Sequence, residues 1–249
     1  TEHSTTNKRR DSVVFKIIDQ YVYRRYDHVV NISKGSHSSF LNYTKNKVKS
    51  SIIYNGVNFK SLLESSKKKS DLNKVLAEKK IVLQVSSFNY EKDQDTLIRA
   101  IKILPDDYLL LLAGDGPNFK NCVYLSKKLK VSKKVMFLGN RDDIGSIIKL
   151  SDVCVLSSHV EGFGRAAVES MFLKKPTIGS DVEGLREVIG DKKLLFKVGD
   201  YVRLSELILD LIENKKYREM IIKKSHEKSL QFTYTNMIKS YENLYKSFS

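Results

Sequence analysis

The chain predicts an α/β fold built on a doubly wound parallel sheet. Two observations carry this expectation. Strand-length apolar runs alternate with helix-length stretches for most of the 249 residues. The middle runs, such as Tyr108 to Ala113 and Val153 to Leu156, are continuously apolar, as strands covered on both faces must be.

In chain order, a helical stretch from Asp11 to Tyr26 leads into a strand at Val29 to Ser33. A short helix from Lys34 and a strand at Ser51 to Tyr54 follow, and Asn55-Gly56 makes a turn. The polar, lysine-rich stretch from Lys60 to Lys80 predicts a surface excursion. The main sheet then takes strands at Ile81 to Ser86, Tyr108 to Ala113, Val135 to Leu138, Val153 to Ser157, Thr177 to Ser180 and Leu194 to Val198. Helices at Asp95 to Ile103, Asn118 to Leu129 and Ala166 to Leu173 lie between them. The chain is helical from Val202 to Leu230. A closing helix runs from Tyr234 to Phe248, with Met237, Ile238, Tyr241, Leu244, Tyr245 and Phe248 on one stripe that needs a surface to pack on. Residues 1–54 do not close a unit by themselves, and the chain starts at Thr1 in what reads as a loop. A piece of a longer protein is therefore the expectation, with apolar surface exposed on the closing helix and around Val29 to Ile32.

Composition narrows the function classes. Hydrophobic residues make up 41%, enough for a sizeable core. No apolar stretch approaches bilayer length, and the first residues are too polar for a signal peptide. Cys122 and Cys154 give no disulfide framework and fit a reducing cytoplasm; Cys154, in an apolar run, reads as a buried small hydrophobe. The net charge of +15 is spread over lysine pairs such as Lys127-Lys128 and Lys223-Lys224. Dispersed pairs read first as a solvated surface, then as contact with an anionic leaflet or ligand. Nucleic acid ranks last, because no zinc spacing, RNA-binding aromatic motif or helix-turn-helix pattern is present.

One segment carries chemistry. Ser157-Ser158-His159-Val160-Glu161-Gly162-Phe163-Gly164-Arg165-Ala166-Ala167-Val168-Glu169 follows a strand and opens a helix. Its glycines allow close approach of a ligand to the backbone. The free amides near Arg165, Ala166 and Ala167 would attract a phosphate. The plainer alternative makes Glu161 a loop carboxylate and pairs Glu169 with Arg165 one turn earlier.

Glu161 and Glu169, with seven residues between them and Gly162-Phe163-Gly164 after the first, resemble the signature of family 4 of the glycosyltransferases. These are retaining enzymes of the GT-B fold, with two facing Rossmann-like domains. Tyr54-Asn55-Gly56-Val57-Asn58 resembles the family's interdomain segment, and Val85-Ser86-Ser87-Phe88-Asn89-Tyr90-Glu91-Lys92 its phosphate-binding loop. Ala113-Gly114-Asp115-Gly116-Pro117, Phe137-Leu138-Gly139 and Ser180-Asp181-Val182-Glu183-Gly184 with Glu187 fall in family order.

The resemblance implies a Rossmann-like donor-binding domain at 55–232. Residues 1–54 would be the end of an acceptor domain with its linker, and 233–249 a helix crossing back towards it. It implies that Glu169 holds the ribose hydroxyls and Glu161 the donor sugar. The backbone of Phe163, Gly164 and Ala166 would hold sugar and diphosphate, with Lys92 neutralising the diphosphate. Gly139 and Asn140 would face the base, and His3 would stand near the reacting sugar. Taken alone, Lys92 reads as one more surface lysine and His3 as a terminal histidine. Ser87 departs from the pattern: it stands where the family has an arginine, which removes one cation from the leaving group.

The expected reaction moves a sugar from a nucleotide-diphosphate sugar to a glycan or lipid-linked acceptor in cell-surface polysaccharide synthesis. No Asp-x-Asp motif stands where a metal would be needed, so neither metal nor cofactor is expected. The basic surface suits work at the inner face of the cytoplasmic membrane. The rival readings are a non-catalytic nucleotide-binding module, a GT-B-like epimerase or phosphorylase, and a glycosidase. The last needs carboxylates on opposite sides of one bond, which a diphosphate-binding helix between them does not suit.

Overall fold

The computed structural model describes residues 1–3, 12–72, 76 and 78–248. Its centre is a six-stranded, wholly parallel sheet. The strands are β3 (Lys80–Val85), β4 (Tyr108–Ala113), β5 (Val135–Gly139), β6 (Val153–Leu156), β7 (Thr177–Ser180) and β8 (Leu195–Phe196), in the order β5-β4-β3-β6-β7-β8. Helices α4 (Gln94–Ile103), α5 (Phe119–Lys128), α6 (Ile144–Leu150), α7 (Arg165–Phe172) and α8 (Glu183–Ile189) fill the crossovers, and α9 (Tyr201–Glu213) and α10 (Lys215–Ser229) follow the last strand.

Alternation along the strands explains the apolar runs. Val82, Leu110 and Leu112 face one core, with Leu97 and Ile101 of α4 and Leu204, Leu207 and Ile208 of α9. Ile81, Leu83, Leu109 and Leu111 face the opposite core, with Ile147 and Ile148 of α6. Both faces of the middle strands are therefore dry, and neighbouring positions are apolar alike.

The lysine-rich stretch departs from the expectation of a surface excursion. It carries α3 (Phe59–Ser65), and Leu62, Leu72 and Leu76 are buried in the second core. Lys67, Lys68 and Lys69 stay exposed, so a few leucines anchor the segment between charged neighbours. The region after Val202 is helical as expected and divides into two helices. Asn214 ends α9, and its side chain accepts the Tyr217 N–H at 3.0 Å to cap α10. Cys122 and Cys154 are both buried and unpaired with each other.

A smaller unit precedes the main sheet. Strands β1 (Val29–Asn31) and β2 (Ser50–Ile52) pair in parallel, and Glu2 bridges to Asn31 on the far side of β1. Helices α1 (Val13–Tyr23) and α2 (Lys34–Thr44) flank them, with Phe40 packed on Val29, Val48 and Tyr23. Asp11, the expected helix start, lies outside the described residues. Val29, Val30 and Ile32 are buried, which corrects the expectation that they are exposed. Exposed apolar side chains lie instead on α1, where Val14, Ile17 and Tyr21 are each more than 60% exposed.

Among the contacts of this unit with the rest of the chain are hydrogen bonds and ring packing. The Glu187 carboxylate of α8 accepts the Lys34 N–H at 2.8 Å, at the start of α2, and the Tyr54 hydroxyl. The closing helix α11 (Tyr234–Lys246) returns alongside, with Tyr234 N–H donating to the Val57 carbonyl at 3.3 Å and the Phe248 ring 6.0 Å from His28. Met237, Tyr241 and Leu244 of its stripe are half-buried, while Ile238, Tyr245 and Phe248 are exposed.

Glu187 satisfies two donors from two different segments. Glu187→Ala is therefore expected to destabilise the chain by about 1–3 kcal/mol, and Tyr54→Phe by about 1 kcal/mol. Urea unfolding of both variants checks this; equal midpoints for wild type and Glu187→Ala would refute the attachment.

Candidate functional site

The strand order reverses between β3 and β6, and the loops leaving their carboxyl ends part there. They wall a cleft of about 610 Å³. The two loops are stitched at their base: Lys92 bridges Ser158, Asp93 N–H donates to the Ser157 carbonyl at 3.0 Å, and His159 N–H to the Glu91 carbonyl at 2.8 Å. Asp93 also caps α4, accepting from the Thr96 N–H at 3.2 Å and its hydroxyl at 2.6 Å.

The cleft brings together His3, Ser87, Lys92, Asn140, Glu161, Phe163, Gly164, Arg165, Ala166 and Glu169. Gly164 opens α7 at φ +87°, and an added Cβ would stand 2.6 Å from Leu185, so only glycine fits. Among the described residues, the Arg165 and Ala166 amides have no acceptor. Ala167 differs from the expectation: its N–H donates to the Gly164 carbonyl at 3.0 Å, and its side chain is in the core, away from the cleft. Gly139 does not line the cleft either. It sits at φ +63°, and its carbonyl accepts the Gly114 N–H at 2.8 Å, so it directs the loop that carries Asn140. Phe163 is 3% exposed, its ring packed on Tyr54 and Phe232, which leaves its main chain to face a ligand.

The charges are arranged in pairs. The Lys92 ammonium donates to the Glu161 carboxylate, with both side chains less than one-fifth exposed. Glu169 lies one helical turn beyond Arg165, whose Nε is 3.4 Å from its carboxylate. Burial raises the Glu169 pKa, and Arg165 opposes the shift in part. The Arg165 side chain is 76% exposed, so its pairing with Glu169 is solvated. His3 is exposed at the rim; its carbonyl lies 2.6 Å from where a Cβ on Gly162 would stand.

Sequence reasoning gave no role to several residues that line the cleft: Asn55, Gln84, Asp115 and Arg141. Asp115 stands in the Gly114-Asp115-Gly116 segment, whose glycines were the available signal. Arg141 had none. It is held by Asp143 at 2.8 Å and by Asp71 at 2.7 Å, a residue far away in sequence. Arg141 in turn holds the Asp143 carboxyl below its usual range. On the cleft floor, the buried Ser158 hydroxyl has no partner among the described residues. A bound polar group or water would satisfy it. Among the described residues, no three His, Cys, Asp or Glu side chains gather to hold a metal, and no helix is long and apolar enough to cross a membrane.

This α/β fold with its parallel sheet is that of the GT-B glycosyltransferase structures that the chain matches. The chain belongs to the family described as glycosyl transferases group 1, whose model matches residues 65–228. It is 32% identical over 171 residues to N-acetyl-alpha-D-glucosaminyl L-malate synthase of Bacillus anthracis, covering 67% of this chain and 45% of that protein. It is 28% identical over 239 residues to N,N'-diacetylbacillosaminyl-diphospho-undecaprenol alpha-1,3-N-acetylgalactosaminyltransferase of Campylobacter jejuni, covering 93% of this chain and 61% of that one. The chain thus spans about half to three-fifths of the length of these relatives. The fold is also that of Anabaena HepE in complex with UDP-glucose, with a TM-score of 0.87 at 23% identity, over 99% of this chain and 71% of that one.

The raised Glu169 pKa has a stability consequence. At pH below the ordinary carboxyl range the group is protonated whether folded or not, and burial costs little. As pH rises through that range towards the folded pKa, the unfolded chain ionises first and stability is lost. Glu169→Gln is therefore expected to melt with wild type at low pH and above it at neutral pH. Thermal melts across that range check the sign; a variant less stable than wild type at neutral pH would overturn it.

Proposed function

We propose that this chain is the nucleotide-sugar-binding part of a retaining glycosyltransferase that transfers a hexosyl group to a glycan or lipid-linked acceptor. One observation carries the reading: Lys92, Glu161, Glu169 and the unpartnered amides opening α7 share one cleft at the switch point of the sheet. Residues 1–54 then belong to an acceptor domain and its linker, 55–232 form the donor domain, and 233–249 close back on the first. The UDP-glucose bound by the Anabaena protein and the diphospho-undecaprenol named for the Campylobacter relative support this choice of donor and acceptor class.

In this reading Glu169 accepts from the ribose hydroxyls and Glu161 from the sugar. The diphosphate lies at the Arg165 and Ala166 amides, within reach of Lys92. As the anomeric C–O bond breaks, negative charge grows on the diphosphate. Donors already aimed at it stabilise the transition state more than the ground state. The acceptor oxygen forms the new bond on the same face, and its proton passes to the departing phosphate. No protein nucleophile is needed, and no metal is required for this charge balance. Ser87 supplies no cation, so Lys92 and the amides carry the leaving group.

In the full-length protein, Lys92→Ala is expected to lower turnover about 10²- to 10³-fold. Glu169→Ala is expected to weaken nucleoside-diphosphate binding about tenfold or more. Radiolabel transfer from a nucleotide sugar, and calorimetry with uridine and guanosine diphosphates, check the pair. Wild-type turnover and binding in both variants would refute the assignment.

A further inference from the structure

Three hollows follow one another, each sharing a lining residue with the next. A second hollow, of about 490 Å³, lies between α2 and α8 and shares Glu161 with the donor cleft. A third, of about 780 Å³, lies beyond β8 and shares Arg186 with the second. The second is walled by hydrogen-bonding side chains, among them Ser38, Asn42, His159 and Glu183. Such groups match sugar hydroxyls.

The third hollow is cationic. Arg186, Lys192, Lys197 and Arg203 line it against two acids, Asp181 and Asp200. Both acids are committed. Asp200 caps α9, accepting the Arg203 N–H at 2.9 Å, and Asp181 accepts from Arg186. Arg203 pairs with Glu206 at 2.9 Å. Lys192 and Lys197 have no acidic partner among the described residues. Arg186, then Lys192 and Lys197, hold the Asp181 carboxyl below its usual range, so both lysines bear on this hollow. Two uncommitted ammonium groups in one concave site suit a phosphate or diphosphate.

We propose that the second and third hollows form an acceptor path. The phosphate-bearing end of the acceptor sits against Lys192 and Lys197, its sugar lies between α2 and α8, and its reacting hydroxyl reaches the donor cleft at Glu161. This rests on the donor-cleft reading above.

Diphosphate binding to the full-length protein tests it, followed by ³¹P NMR and calorimetry. Inorganic diphosphate is expected to occupy two sites, only one of them blocked by saturating UDP. Lys192→Glu with Lys197→Glu should remove the UDP-insensitive site and leave UDP affinity unchanged, which also reports an intact fold. The milder Lys192→Gln with Lys197→Gln should weaken it at least several-fold. Farnesyl diphosphate in neutral detergent should compete for that site. The proposal is overturned if UDP blocks all diphosphate binding, or if the UDP-insensitive site survives both double variants. It is also overturned if farnesyl diphosphate fails to compete, since the site then takes a free anion. Loss of UDP binding in the wild type alone, with the second site retained, would sink the donor reading instead.

Discussion

The reversal of strand order between β3 and β6 is the constraint on which the cleft depends. Their ladder is short, pairing Val82 with Val153 and Leu83 with Cys154. Beyond it, the Gln84 side chain takes over. Its Nε2 donates to the Ser157 carbonyl at 3.3 Å, and its Oε1 accepts the Ser157 N–H at 3.3 Å. A side-chain amide here stands in for the next rung of backbone pairing. The strands can then part while the Ser157 backbone N–H and carbonyl stay satisfied. The crossovers α4 and α7 leave from this point, and each begins at the cleft. A hydrophobic residue at position 84 would leave Ser157 without those partners.

Electrostatics make the same cleft receptive. Lys92 and Glu161 neutralise each other in a partly buried place, and a phosphate that draws Lys92 away leaves Glu161 to be met by another donor. Sugar hydroxyls are such donors, so a ligand carrying both groups loses less than one carrying phosphate alone. Glu169 has a weaker arrangement. Its side chain is mostly buried, and its one ion-pair partner among the described residues, Arg165, is mostly in solvent. A group of this kind gains from any ligand hydroxyl that replaces the water it has lost.

Much of this was legible in the sequence because burial on both sides leaves a strong mark. Tyr108–Ala113 and Thr177–Ser180 begin and end where their residue pattern places them. The loop carrying Glu161, and the helix it opens with Glu169, showed through the loop's glycines, whose backbone demands few other residues meet. The segment after Lys60 hid its fold because Leu62, Leu72 and Leu76 are spaced among lysines, and a helix or coil anchored by so few apolar groups shows no clear period. Arg141 was invisible for another reason: Asp71, which helps to hold it, is brought near only by the tertiary fold. Ala167 and Gly139 were each one step from the mark, because helix geometry engages the third amide and a left-handed glycine turns its neighbour, rather than itself, towards the cleft.

The junction with the smaller unit of β1, β2, α1 and α2 is of a different kind from the core. Ile32 reaches the main apolar cluster, while Glu187 makes directed polar ties to Lys34 and Tyr54. Polar ties fix orientation through angle and distance, whereas apolar contact tolerates sliding. Orientation matters here because Gly162 lies against the His3 carbonyl, and α2 forms one wall of the hollow next to Glu161. A shift of the smaller unit would therefore move His3 and α2 together relative to the two glutamates. Glu187 sits where it can hold that geometry, since its carboxylate meets the start of α2 and the chain leaving β2 at once. One acidic side chain thus ties two segments of the smaller unit to α8, the helix that also borders both adjoining hollows.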